Sequence, residues 1–157
     1  MAVDYFLKID GIDGEATDAK FKNAIDVLSF SWGASNAHSG FGGGVGAGKV
    51  NMQDFSFTMP YSKASPALMQ ACATGQHIKS AVLTARKAGK EQQEYLKMTF
   101  TEVFVSSYQI GASSEIPMDS ISLNFSKVEV AYSQQGVDGK VSTPIKVGYD
   151  LKLNSKV

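Results

Sequence analysis

The motif in this sequence with the most chemical potential is Gly43-Gly-Val-Gly-Ala-Gly48-Lys49, which has the spacing of a phosphate-binding loop up to its last position. Such a loop needs a strand before it, a helix opening at its end so that backbone N–H groups converge on phosphate, and a Ser or Thr after the lysine to hold magnesium. Val50 stands at the hydroxyl position and a strand-like pattern follows, so nucleotide binding is rejected. His38 and His77 are the only histidines and Cys72 the only cysteine. They fall short of the three or four clustered ligands of a zinc site. Asp10, Asp13 and Glu15 lack the aspartate spacing of a calcium loop and read as turn residues. Cys72, on a predicted helix with no histidine near it in sequence, reads as a small core residue rather than a nucleophile. The many serines include no Gly-x-Ser-x-Gly elbow. No enzyme activity, cofactor or metal is expected.

The frame around these residues is that of one domain, residues 1–157, with 43% apolar and 19% charged residues, neither disordered nor fibrous in composition. Basic and acidic side chains balance at 15 each, and Arg86 is the single arginine, so a nucleic-acid surface is not expected. The N-terminal residues lack the basic start and apolar run of a signal peptide, and no stretch approaches the ~20 apolar residues needed to span a bilayer. Folding in the cytoplasm and no membrane insertion follow as expectations. One cysteine excludes an intrachain disulfide.

Period-two alternation dominates the chain. Val3, Tyr5, Leu7 and Ile9 share one face of a first strand, with Asp4 and Lys8 on the other. From Ala24 to Trp32, Leu28, Phe30 and Trp32 share a face opposite Ser29 and Ser31. Between Val50 and Met59 the apolar parity changes, which predicts a bulge near Gln53 or Asp54. Ser65 as N-cap, Pro66 at the first helical position and Gly75 as C-cap predict one short helix over Ser65–Ala73, with Leu68, Met69 and Cys72 as its apolar stripe. Further strands are predicted from Ile78 to Ala88, from Glu94 to Tyr108 and from Asp119 to Tyr132, where a second parity switch suits a strand turning between two sheets. In Glu94 to Phe104, taking Leu96, Met98, Phe100 and Phe104 as core leaves Lys97, Thr99 and Thr101 outside. Val137-Asp-Gly-Lys140 reads as a hairpin turn. The last strand, with Ile145, Val147, Tyr149, Leu151 and Leu153 on one face, has the cleanest alternation of all. The predicted fold class is mostly β, a compact β-barrel of two packed antiparallel sheets with one short flanking α-helix.

The glycine-rich stretch 38–48 is too long for a tight turn and suits a mobile linker or an element that orders against a partner. Several blocks then carry a resemblance: the start Met1-Ala-Val-Asp-Tyr-Phe-Leu-Lys-Ile9, Ile25-Asp-Val-Leu-Ser-Phe-Ser-Trp-Gly33, Gly48-Lys-Val-Asn-Met-Gln-Asp-Phe-Ser-Phe57 and Pro66-Ala-Leu-Met-Gln-Ala-Cys-Ala-Thr-Gly75. With Leu83-Thr-Ala-Arg-Lys-Ala-Gly89, Glu94-Tyr-Leu96, Val105-Ser-Ser107 and Val147-Gly-Tyr149, they run in order over almost the whole chain, which resembles the hemolysin-coregulated protein (Hcp) family of type VI secretion.

That resemblance implies a hexameric ring, stacked with others into an inner tube and capped by a spike protein, which a contractile sheath drives into a neighbouring cell. It implies a protein held in the cytoplasm before firing, then secreted without a cleaved signal peptide to the medium or target cell, and carrying small effector proteins in the lumen. On this reading Ser29, Ser31, Thr99 and Thr101 face the lumen and its effectors. His38, Ser39, Gly40, Phe41, Gly42, Gly43, Gly44, Val45, Gly46, Ala47 and Gly48 form a ring-stacking loop, whose stretch from Ser39 to Gly48 carries no charge and so avoids repulsion between copies. A monomeric β-barrel ligand-binding module is the alternative, because the same strands would serve it.

Overall fold

Alternating side chains fold this chain into two antiparallel sheets that share one core. The computed structural model describes residues 3–36, 50–87, 93–136 and 140–157. Its elements are β1 (Val3–Ile9), β2 (Ile25–Val27), β3 (Ser29–Ser31), β4 (Ala34–Asn36), β5 (Val50–Met52), β6 (Phe55–Pro60), α1 (Ala64–Thr74), β7 (Ile78–Lys87), β8 (Glu94–Gly111), β9 (Met118–Asn124), β10 (Lys127–Tyr132), β11 (Ile145–Asp150) and β12 (Ser155–Lys156). The first sheet runs β12-β11-β10-β8-β7-β1-β2, the second β3-β6-β9-β8, and β4 with β5 forms a separate ribbon. Leu7, Leu83 and Phe100 from the first sheet meet Phe55, Phe57, Ile121 and Leu123 from the second, all buried. At the centre the Phe100 ring lies 4.8 Å from both Phe55 and Phe125. Burying one such ring contributes about 1.5–3 kcal/mol.

Strand β8 belongs to both sheets: Leu96–Thr101 pair with β10, Phe104–Gly111 with β9. Its apolar parity therefore has to change. Glu102, at φ 55, makes the first switch, so Val103 and Val105 are buried and Phe104, expected in the core, is exposed beside the His77 ring. A bulge between Val105 and Ser107 makes the second, turning Tyr108 inward and Ser107 outward.

Several expectations need correction. The sheets do not close into a barrel: the chain between Ala24 and Trp32 breaks at Leu28, with β2 pairing β1 and β3 pairing β6. Leu28 is consequently 53% exposed rather than packed with Phe30 and Trp32. The parity change near Gln53 and Asp54 is not a bulge but the gap between β5 and β6, which belong to different sheets. The predicted strand Asp119–Tyr132 is two strands, β9 in the second sheet and β10 in the first. The last strand alternates as expected only over Ile145–Asp150: the chain turns at 151–154 instead of carrying the strand on to Leu153, and Ile145, Val147 and Leu153 are exposed. The turn expected at Val137–Lys140 lies largely outside the described residues.

Helix α1 starts one residue earlier and ends one later than predicted. Ser65 is not its N-cap but a buried first-turn residue: its Oγ accepts the Ser62 N–H at 3.0 Å and donates to the buried Asp119 carboxylate on β9, which pins the helix to the second sheet. Burial and the adjacent Asp119 push the Tyr108 phenol up to about 12. Leu68 is buried as expected, whereas Met69 is exposed. Gly75 closes the helix in the left-handed region at φ 66, where a side chain would be strained.

On the outer side of the first sheet, residues 10–24 fold over Phe6 and Arg86. The buried guanidinium lies 5.0 Å from the Phe6 ring and 5.3 Å from Phe21, and makes a two-pronged contact with Asp18 at 3.1 and 2.5 Å. That contact holds the Asp18 carboxyl at about 2, from 3.8. A carboxyl depressed in the folded state stabilises above its ordinary value, and the contribution disappears as pH falls through the folded one. Asp18→Asn is therefore expected to lower the melting temperature at pH 7, with the gap to the parent narrowing from pH 4 toward pH 2. Thermal melts of both proteins across that range check it.

Candidate functional site

The outer face of the second sheet is a wall of small neutral polar groups in two ranks. Register places Ser29, Thr58, Ser120 and Gln109 side by side in one rank, and Ser31, Ser56, Ser122 and Ser107 in the next. Across four strands spaced ~4.8 Å apart the wall is about 14 Å wide, with ranks about 7 Å apart along the strands. Within it Ser29 Oγ and Thr58 Oγ1 share a hydrogen bond of 2.6 Å, and Ser56 Oγ and Ser122 Oγ one of 3.0 Å. None of the eight side chains ionises near neutral pH. Each hydroxyl has one proton and two lone pairs, so even a paired one keeps bonding capacity for water or a ligand.

Local sequence explains why these residues face outward together. Ser-Phe-Ser in β3, Ser-Phe-Thr in β6 and Ser-Ile-Ser in β9 each turn the central apolar residue toward the core, Phe57 and Ile121 fully buried and Phe30 partly so, and the flanking hydroxyls away from it. In β8 the bulge after Val105 aligns Ser107 and Gln109 with them. One end of the wall is fastened by Asp54, whose carboxylate accepts from Ser106 Oγ at 2.6 Å and Asn124 Nδ2 at 3.1 Å. Both Asp54 oxygens are thus occupied by neighbours. The arrangement suits hydrogen bonding and hydration.

Of the four residues expected to act together, Ser29 and Ser31 lie on this wall and Thr99 and Thr101 do not. The two threonines sit on the outer face of the first sheet, half-buried, in register with Glu129 and Lys127. That face is charged: Lys8, Lys97, Lys146 and Glu129 are exposed on it. The stretch 38–48 lies outside the described residues. His77, Asp10, Asp13 and Glu15 are exposed, and Cys72 is half-buried. Sequence reasoning missed Ser56, Thr58, Ser107, Gln109, Ser120 and Ser122. The signal available was the repeated hydroxyl-apolar-hydroxyl triplet in three separate strands.

The family model described as "Type VI secretion system effector, Hcp" matches residues 6–132. The chain is 47% identical over 159 residues to Protein hcp1 of Pseudomonas aeruginosa, covering 98% of each. This chain belongs to the Hcp family. Among solved structures, it is similar to a type six secretion system protein with a TM-score of 0.92 and 32% identity, covering 99% of this chain and 100% of that one. It is also similar to Hcp1 from Salmonella typhimurium, with a TM-score of 0.80 and 39% identity over 100% of both chains. Hcp proteins are secreted components of the type VI system, and among the described residues no helix is long and apolar enough to cross a membrane.

If Asp54 fastens the end of the wall, Asp54→Ala leaves two polar side chains without their partner at a partly exposed site. A loss of about 1 kcal/mol is expected, which corresponds to roughly 2–4 °C in melting temperature for a chain of this size. Differential scanning calorimetry measures it.

Proposed function

We propose that this Hcp chain is a structural, exported part of the type VI secretion machine rather than a catalyst, and that six copies close into a ring with the second sheet's outer face toward the bore. The rings stack into an inner tube that carries small effector proteins, meets a spike protein at its tip and lies within a contractile sheath. The protein stays in the cytoplasm until firing and then passes to the medium or the target cell.

The observation that carries this reading is the chemical contrast between the two outer faces: eight neutral polar side chains on one sheet, exposed lysines and a glutamate on the other. A wall that cargo must enter and leave is served by weak, hydrated hydrogen bonds. Fixed charges would bind or repel according to cargo charge. Ser29 and Ser31 then line the bore, while Thr99 and Thr101, on the opposite outer face, are turned from it. The stretch 38–48 would contact the next ring.

Ser31→Gln adds bulk to the wall without touching the core. It is expected to leave the assembled mass unchanged in light scattering and to reduce co-purification and export of effectors; undiminished cargo binding would count against the bore assignment. Shortening 38–48 is expected to raise the protein concentration needed for tubes, seen by negative-stain microscopy, while rings persist. A parent protein that stays monomeric in light scattering at every concentration would favour the monomeric ligand-binding module.

A further inference from the structure

The first sheet carries a second, smaller apolar cluster on its outer side. Phe6, Ala16 and Ala24 are buried there against Phe21, apart from the core that the two sheets share. The chain reaches this cluster from Ile12 and leaves it through Ile25, and both of those side chains are buried in the shared core. Between them, residues 13–24 close on themselves: Gly14 N–H donates to the Asn23 carbonyl at 2.8 Å, Ala16 N–H to Ala24 at 3.0 Å, Asn23 N–H to Ala16 at 2.9 Å and Ala24 N–H to Phe21 at 3.0 Å. Asn23 lies in the left-handed region at φ 67. A Cβ on Gly14 would stand 2.4 Å from the Ala24 carbonyl oxygen, so only glycine lets the two ends approach. The result is a compact loop with its ends together and its own small core.

Beyond the small Ala16, two side chains fasten this loop to the sheet. The Phe21 ring stacks on Phe6 with centroids 4.6 Å apart, and the Asp18 carboxylate grips Arg86. Arg86, the single arginine of the chain, stands on β7 and is 1% exposed. Its Nε has no acceptor among the described residues. Closing the loop therefore takes a guanidinium and a carboxylate out of water and leaves one N–H unsatisfied, costs that offset much of the attraction between the charges. Opening returns both groups to water. Asp4 on β1, with a carboxylate oxygen 3.7 Å from the guanidinium, stays beside Arg86 when Asp18 leaves, so no charge is stranded in either state. The shared core has no such compensation, because its aromatic and aliphatic side chains gain nothing from water.

We propose that residues 13–24 are a latch that opens as a unit while both sheets stay folded, hinged beside Ile12 and Ile25, with the Asp18–Arg86 pair as its catch. Opening changes what the outer side of the first sheet offers. Phe6, 6% exposed when the latch is closed, and the guanidinium are both uncovered, next to Lys8 and Thr84. The latch is a property of the single chain and does not depend on the ring reading.

Native-state hydrogen exchange, followed by NMR from zero to sub-denaturing urea, tests it. The amides of Gly14, Ala16, Asn23 and Ala24 are expected to exchange faster than the ladder amides of β7 and β8 and with a smaller dependence on urea, because a local opening exposes little surface. Arg86→Lys keeps the charge and loses the two-pronged grip. It is expected to speed exchange of those four amides by at least about tenfold, as for the loss of one hydrogen bond between charged groups. Trypsin cleavage after Lys20 and Lys22 should accelerate with it, while the circular dichroism of the parent is retained. If Arg86→Lys does not fold, Phe21→Ala, at a half-buried ring on the loop, serves in its place. Exchange of the four amides at the rate and urea dependence of the β7 ladder would mean that the loop opens only when the whole chain unfolds, and overturns the latch. A local opening whose rate neither variant changes overturns the catch.

Discussion

A strand that serves two sheets must send its apolar side chains into the same core from both of its halves, and β8 is under that constraint. Simple alternation cannot satisfy it, because the inward side changes where the strand passes from one sheet to the other. Glu102 in the left-handed region and the bulge after Val105 supply the two changes of phase. Between them Met98, Phe100, Val103 and Val105 all reach the core. The cost of one unusual φ is small beside the burial of these side chains, each worth about 1.5–3 kcal/mol. Phe104 is the residue displaced, and it rests against His77 at the surface.

The same two changes of phase decide what the outer faces become. Before Glu102 the outward residues of β8 are Lys97, Thr99 and Thr101, among lysines and glutamate; after the bulge they are Ser107 and Gln109, among serines and a threonine. One strand therefore contributes to a charged surface and to a neutral one. On the ring reading proposed above, this division separates the face turned to cargo from the face turned to the rest of the machine. Asp54 and the hydroxyl pairs link neighbouring strands of the neutral side through side-chain bonds that involve no core residue.

How much of this was legible in the sequence varies by residue. Val3–Ile9 and the Ala81–Ala85 stretch of β7 read correctly because each lies in one sheet, so period two holds along it. Gly75 was legible because a left-handed helix end favours glycine. Ser65 was not: a serine before Pro66 reads as a cap, and only the buried carboxylate of Asp119, 54 residues away, draws it inside. Ser29 and Ser31 were found on the wall, while their partners on β6, β8 and β9 were not, because register between distant strands leaves no mark in a single sequence.

The sequence by itself determined that the chain is mostly strand, where its one helix lies, and which side is apolar in a strand such as Val3–Ile9 that stays within one sheet, since these depend on the order of side chains along an extended backbone. Only the tertiary structure decided which strands stand beside one another, that Leu28 and Phe104 are left outside, and that eight neutral polar residues meet on one face. Those outcomes depend on where the backbone breaks phase and which ladders then form, and such contacts are fixed only when distant segments compete for one core.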